Sequence, residues 1–226
     1  MNDFIIASKN RGKIAEIIRI LDLENVRLTD LNALGFNDEI EECGSTFIEN
    51  AVIKAETVFL KYRIPVIADD SGLSVSFLDG GPGVYSSRFA GPGADDRENN
   101  ELLLEKLKGT EEQERKAWFT CAAVFYYGKG RFSHAEGRLE GIITRTPAGR
   151  NGFGYDPLFF IPELGKTMAE LSREEKNAVS HRSKAFTALK DAIETYLRAS
   201  PAFRACPCRG LPKRQHQKPL DYEVEP

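Results

Sequence analysis

The chain has 226 residues, 41% hydrophobic and 29% charged, proportions of a globular protein that exclude a wholly disordered or fibrous one. Its 31 basic and 34 acidic residues leave a formal net charge of −3, so no overall positive field draws it to nucleic acid or to an anionic membrane. No apolar run approaches the roughly 18–20 residues of a membrane span, and the opening stretch to Lys13 holds too few apolar residues for a signal-peptide core, which predicts a cytoplasmic protein.

In chain order, Phe4 to Ala7 is a short apolar run, expected as a strand, that ends in the polar loop Ser8-Lys9-Asn10-Arg11-Gly12-Lys13. Ile14, Ile17, Ile18 and Leu21 then recur at helical spacing. Thr46-Phe47-Ile48-Glu49 has capping-box form and opens a second helix with the stripe Ile48, Ala51, Val52, Ala55 and Phe59, leaving Lys54 off the stripe. Pro65 to Ala68 reads as a strand ending at Asp69-Asp70-Ser71-Gly72. Turns follow at Asp79–Gly83 and Gly91–Gly93, then helical leucines from Glu101 to Leu107. Trp118–Tyr127, Arg131–Glu136 and Leu139–Thr144 read as three successive strands. Ser172 begins another capping box, and Phe186, Leu189, Ile193 and Leu197 mark a last amphipathic helix. From about Ala199 the periodicity stops, so 199–226 is expected as a flexible tail after a core of residues 1–198. Cys43, Cys121, Cys206 and Cys208 contain one close pair, a poor zinc site, and are expected as reduced thiols.

The basic loop between a strand and a helix suits a phosphate, because free N–H groups at a helix start point at the anion while Lys9, Arg11 and Lys13 neutralise it. A solvated basic loop fits equally well when this element is judged alone. It is not a P-loop: Ala7 stands where the first glycine belongs and Ile14 where a magnesium-binding hydroxyl belongs. Glu41-Glu42 and Asp69-Asp70 provide carboxylates, and one from each pair would suffice for magnesium with phosphate oxygens and water. Gly152-Phe153-Gly154-Tyr155-Asp156-Pro157 offers close approach and aromatic faces for a planar base, or a structured loop capping the core.

Taken together in this order, Ser8 to Lys13, EECGSTFIENAVIKA from Glu41, ADDSGL from Ala68, PGVYSSR from Pro82, GFGYDP from Gly152 and EEKNAVSHR from Glu174 resemble the inosine triphosphate pyrophosphatase family, also called dITP/XTP pyrophosphatases. The similarity covers residues 1–198. It implies a mixed α/β fold, an elongated central sheet with flanking helices and two lobes around a cleft. It also implies a homodimer and magnesium-dependent hydrolysis of ITP, dITP or XTP to the monophosphate and pyrophosphate. Carried over by motif, Asp70 is the proton acceptor and a metal ligand, Asp69 assists, and Glu42 is the preferred second metal ligand, with adjacent Glu41 as the alternative. Ser8, Lys9, Asn10, Arg11, Gly12, Lys13, Lys54 and Ser71 would hold the triphosphate, Ser71 from a turn. Phe153, Gly154, Tyr155, Asp156, Lys176, His181 and Arg182 would hold the nucleotide and its base.

Overall fold

The computed structural model describes residues 2–199. Seven strands form one mixed sheet in the order β2-β1-β3-β4-β5-β6-β7: β1 Asn2–Ile6, β2 Val26–Asp30, β3 Val66–Val75, β4 Lys116–Gly128, β5 Arg131–Ile143, β6 Phe159–Ile161 and β7 Lys166–Thr167. β1 pairs in parallel with β2 and β3, and every later pairing is antiparallel. Five helices flank it: α1 Arg11–Leu21, α2 Phe47–Tyr62, α3 Asp96–Lys106, α4 Arg173–Val179 and α5 His181–Ala199.

Two apolar clusters back the parallel end of the sheet. On one face Ile14, Ile17 and Leu21 of α1 and Phe186, Leu189 and Ile193 of α5 pack on Phe4, Ile6, Ile67 and Phe125. On the other, Ala51, Ala55 and Val58 of α2 meet Ile5, Val66, Ala68 and Val124. The strands alternate between these faces because successive side chains point opposite ways. A third cluster lies towards the other end of β3 to β5, where Leu73, Val75 and Phe119 pack with Leu103 and Leu107 of the α3 region and with Phe159 and Met168. These clusters are the cores of the two lobes.

Three local expectations change. α1 starts at Arg11, because the Asn10 side chain accepts the Lys13 N–H (3.0 Å) as an N-cap, so Arg11 to Lys13 form a first helical turn instead of a loop. β3 does not end at Asp69. It pairs with β4 without a break from Val66↔Tyr126 to Val75↔Ala117, which carries Asp69 to Gly72 through the middle of a strand and places Ser71 there, not on a turn. Arg131–Glu136 and Leu139–Thr144 join into the single strand β5, with Gly137 at the joint. A side-chain carbon at Gly137 would collide with the carbonyl of His181 and lie 2.6 Å from the Ala185 nitrogen, so glycine lets α5 pack directly on the strand. Cys121 faces Ser71 across β4 and β3 and is fully buried in the cluster beneath α5. Of the tail expected from 199, Ala199 closes α5, and the rest, including Cys206 and Cys208, lies outside the described residues.

Candidate active site

β1 is short. It pairs with β3 at Ile5↔Val66 and Ile6↔Ile67 only, so that edge of β3 has no strand beside it from Ala68 to Gly72, before Ser86 and the Ser74↔Pro82 bridge cover its far end. The chain leaves β1 for α1 on one face and returns to β3 through α2 on the other, which makes this the crevice at the carboxyl ends of parallel strands where α/β sheets bind ligands. A cleft of about 410 Å³ opens there. Most of the residues expected to bind or act on substrate line it: Ser8, Lys9, Asn10 and Lys13 from the β1–α1 junction, Glu42, Lys54, Asp70 and Ser71 from α2, the segment before it and β3, and Phe153 to Asp156, Lys176, His181 and Arg182 from the later chain.

Arg11, Gly12 and Asp69 are not among the lining residues. Arg11 is exposed on the first turn of α1. Gly12 serves packing, since a side-chain carbon there would come within 2.9 Å of the Phe153 ring. Asp69 and Asp70 are adjacent in a strand and therefore face opposite sides of it. Asp69 points to α1 and α5, where Lys13 Nζ lies at 3.2 Å, Arg182 Nε at 3.6 Å, and the Ser71 hydroxyl donates at 2.8 Å. Burial alone would raise its carboxyl, but Lys13, Arg182 and Lys54 outweigh that and hold it well below the usual range. It is a fixed anion that anchors cations.

Asp70 points to α2. Its Oδ2 accepts from Asn50 Nδ2 at 3.2 Å and its Oδ1 from the Ser71 N–H at 3.0 Å. Here burial dominates and pushes the carboxyl up despite Lys54 and Lys13. Asn50 is fully buried, and its Oδ1 accepts the Gly44 N–H at 2.7 Å, which fixes the amide so that its NH₂ meets Asp70. Lys54 reaches across from α2 to the Asp69 carbonyl (3.0 Å) and to Glu42 (3.2 Å). Burial works against its charge, yet Glu42, Asp70 and Asp69 keep its pKa raised. Of the two neighbouring glutamates, Glu42 lines the cleft and Glu41 is exposed outside it. Among the described residues no three His, Cys, Asp or Glu side chains converge as a ready-made metal cage. Two cleft carboxylates, Glu42 and Asp70, nevertheless fit magnesium, which takes one or two protein carboxylates and completes its shell with phosphate and water.

A buried charge network holds the aromatic wall. Lys176 pairs with Asp156 (2.7 Å) and Glu16 (3.0 Å), and Glu16 also pairs with Arg182. Both cations sit over Phe153, Lys176 Nζ at 4.9 Å and Arg182 Cζ at 5.3 Å from the ring centre. Asp156, pushed up by burial against its pairing with Lys176, also accepts the Phe153 N–H at 3.1 Å. The Tyr155 hydroxyl donates to the Ser86 carbonyl at 2.8 Å, so this side chain fixes the wall. His181 stacks on Phe119 at 4.7 Å. Burial, with Arg182 and Lys176 nearby, lowers its pKa well below the ordinary value, so the ring is neutral at pH 7, and its Nδ1 is buried without a partner.

Several participants are invisible in the motifs. Glu16 lies between the apolar positions of α1 and reads as solvated surface, and Asn50 sits on the buried side of α2 among alanines. Asp96 and Asn99 of α3 line the cleft, as does Phe119 of β4, although each belongs to a stretch that reads as plain secondary structure. Only the pairing of distant elements shows what they touch.

The sequence profile of the Ham1 family matches residues 4–192. The chain belongs to the Ham1 family. Among its Ham1 relatives, the dITP/XTP pyrophosphatase of Clostridium perfringens is 46% identical over 205 residues, covering 88% of this chain and all of that protein. The dITP/XTP pyrophosphatase of Listeria monocytogenes is 48% identical over 195 residues, covering 86% of this chain and 96% of its own. A solved structure of a HAM1 protein from Coxiella burnetii superposes with a TM-score of 0.79 at 39% identity, over 86% of this chain and all of that one. The cleft of this chain thus brings together lysines and a helix start, a carboxyl of raised pKa and an aromatic wall that packs against the first turn of α1. That arrangement can hold a polyanion, take a proton beside it, and stack a planar group.

Proposed function

We propose that this chain hydrolyses deaminated purine nucleoside triphosphates, ITP, dITP and XTP, to the monophosphate and pyrophosphate. The observation that carries the reading is the single cleft joining phosphate-type groups, an acid and a base-sized aromatic wall. In this mechanism Lys13 and Lys54, with Ser8, Asn10 and the start of α1, neutralise and orient the triphosphate. Asp70 accepts a proton from the attacking water as the bond between the α- and β-phosphates breaks and pyrophosphate leaves. The amide of Asn50 orients that carboxylate. Glu42 and Asp70 would hold magnesium, which when bound supplies charge neutralisation at the phosphoryl oxygens. The base stacks on Phe153, and His181 and Arg182 favour the keto group that inosine and xanthine carry at the position of the adenine amine.

A homodimer and a cytoplasmic location belong to the same reading. Exposed large hydrophobic side chains, Phe77 and Tyr85 among them, are available to a second copy, which sedimentation equilibrium would test. Among the described residues no helix is long and apolar enough to cross a membrane. The deciding experiment is anion-exchange separation of the products from ITP and magnesium. IMP with pyrophosphate supports the proposal, whereas IDP with phosphate, or no turnover, refutes it.

A further inference from the structure

The wall that carries Phe153 is held from behind by α3, a helix that the catalytic groups do not use. Gly154, with φ of +63°, has both backbone polar groups bound there: its N–H donates to Asp96 Oδ2 at 2.6 Å and its carbonyl accepts from Asn100 Nδ2 at 2.9 Å. Asp96 and Asn100 are four apart, so they lie on one face of the helix and hold the two peptide groups that flank Gly154 as a pair. Neighbouring Asn99 ties the opposite loop, accepting the Ala90 N–H at 2.8 Å.

Behind the same wall lies a second cavity of about 400 Å³, bounded by Arg97, Asn100 and Leu104 of α3 and by Pro147, Pro157 and Leu158. Phe153, Gly154 and Asp96 line both this cavity and the substrate cleft. The aromatic wall is therefore a partition with space on either side. On the α1 side Gly12 and the two cations restrain the ring, while towards α3 two hydrogen bonds, one to each of the peptide groups flanking Gly154, tie the wall to the helix.

We infer that Asp96 and Asn100 are positioning residues that set base selectivity by fixing the Gly154 peptide. The inference rests on the proposed function for its substrates. Without the grip, the wall relaxes into the rear cavity, and groups that must meet the base within a few tenths of an ångström lose their register with it. A site that selects by complementary hydrogen bonds loses selectivity when those bonds lengthen. Asn100 is the sharper probe, since it lines only the rear cavity and reaches substrate through Gly154 alone.

The experiment measures kcat/KM for ITP and for GTP in the wild-type enzyme and in Asn100→Ala, Asn100→Asp, Asp96→Ala and Asp96→Asn. The ratio of the two constants is unaffected by a loss of correctly folded enzyme, which lowers both equally. Asn100→Ala and Asn100→Asp, which cannot donate to the carbonyl, are expected to lower the ITP/GTP ratio by about tenfold. Asp96→Ala should do the same, and Asp96→Asn, whose side-chain oxygen can still accept the Gly154 N–H, should restore most of it. Hydrogen exchange at the Gly154 amide should quicken in Asp96→Ala and recover in Asp96→Asn. A wild-type ratio retained by both Asn100 variants and by Asp96→Ala overturns the inference. A wild-type enzyme that does not prefer ITP overturns the functional reading instead, and the two failures are told apart in one data set.

Discussion

Replacing Asp70 with asparagine keeps the side-chain shape and removes both its charge and its ability to take a proton. Asparagine keeps one acceptor, enough for the Ser71 amide, while its NH₂ then faces the Asn50 NH₂, a local loss that leaves the β3–β4 pairing in place. Turnover of ITP is expected to fall by about 10²–10⁴-fold, with an unchanged circular dichroism spectrum. Near-full activity in the folded variant would remove Asp70 from the mechanism. His181 gives a different prediction, on stability. A histidine in the unfolded chain takes up a proton near pH 6.5, whereas burial and two neighbouring cations keep folded His181 neutral well below that. Between those values the unfolded state binds more protons, so acidification weakens the fold, with a slope approaching about 1.4 kcal/mol per pH unit. Asp69, held low by Lys13 and Arg182, acts in the same direction below about pH 4. Urea denaturation at pH 7, 6 and 5 should show the loss in the native chain and a flatter profile in His181→Gln; parallel profiles would contradict it.

At the scale of elements, Gly137 governs how α5 meets the sheet. In Gly137→Ala the added methyl meets the backbone of α5 at His181 and Ala185, with no flexible side chain to give way first. The helix must shift, at a cost of about 1–3 kcal/mol, and it carries His181 and Arg182 with it. A lower melting temperature with a raised KM for ITP is expected; a lower melting temperature with KM unchanged would separate α5 from the site. This joint also shows where the sequence could be read and where it could not. Helices with clear caps were legible, as with Thr46 and Glu49 or Ser172 and Glu175. The run Asp69-Asp70-Ser71-Gly72 reads as a turn because its residues disfavour strands. Its strand state is imposed by β4 and by the charges that satisfy Asp69, and both are long-range. Gly137 likewise reads as a break between strands, and only the helix packed on it explains the glycine. The cleft's motif residues could be recognised because their chemistry is carried by their own side chains. Glu16, Asn50, Asp96 and Asn100 could not, because each acts through a residue distant in sequence.

For the whole molecule, among the described residues those lining the cleft lie between Ala7 and Arg182, and the last buried core residue is Leu197. A chain ended after Ala199 is therefore expected to keep its melting temperature and its ITP turnover; a marked fall in either would assign the remaining residues to the working structure. That shortened chain retains two cysteines, Cys43 at the surface and Cys121 under α5. Burial pushes the Cys121 thiol up to about 12, and a thiol that neither ionises nor meets solvent does not react. Alkylation should then proceed in two phases, Cys43 at once and Cys121 only when α5 lifts from β4. The slow phase is a stopwatch for the joint that carries His181 and Arg182, readable by mass spectrometry on a native cysteine. A bound triphosphate, by favouring the state with α5 seated on β4, should slow that phase and leave the fast one alone.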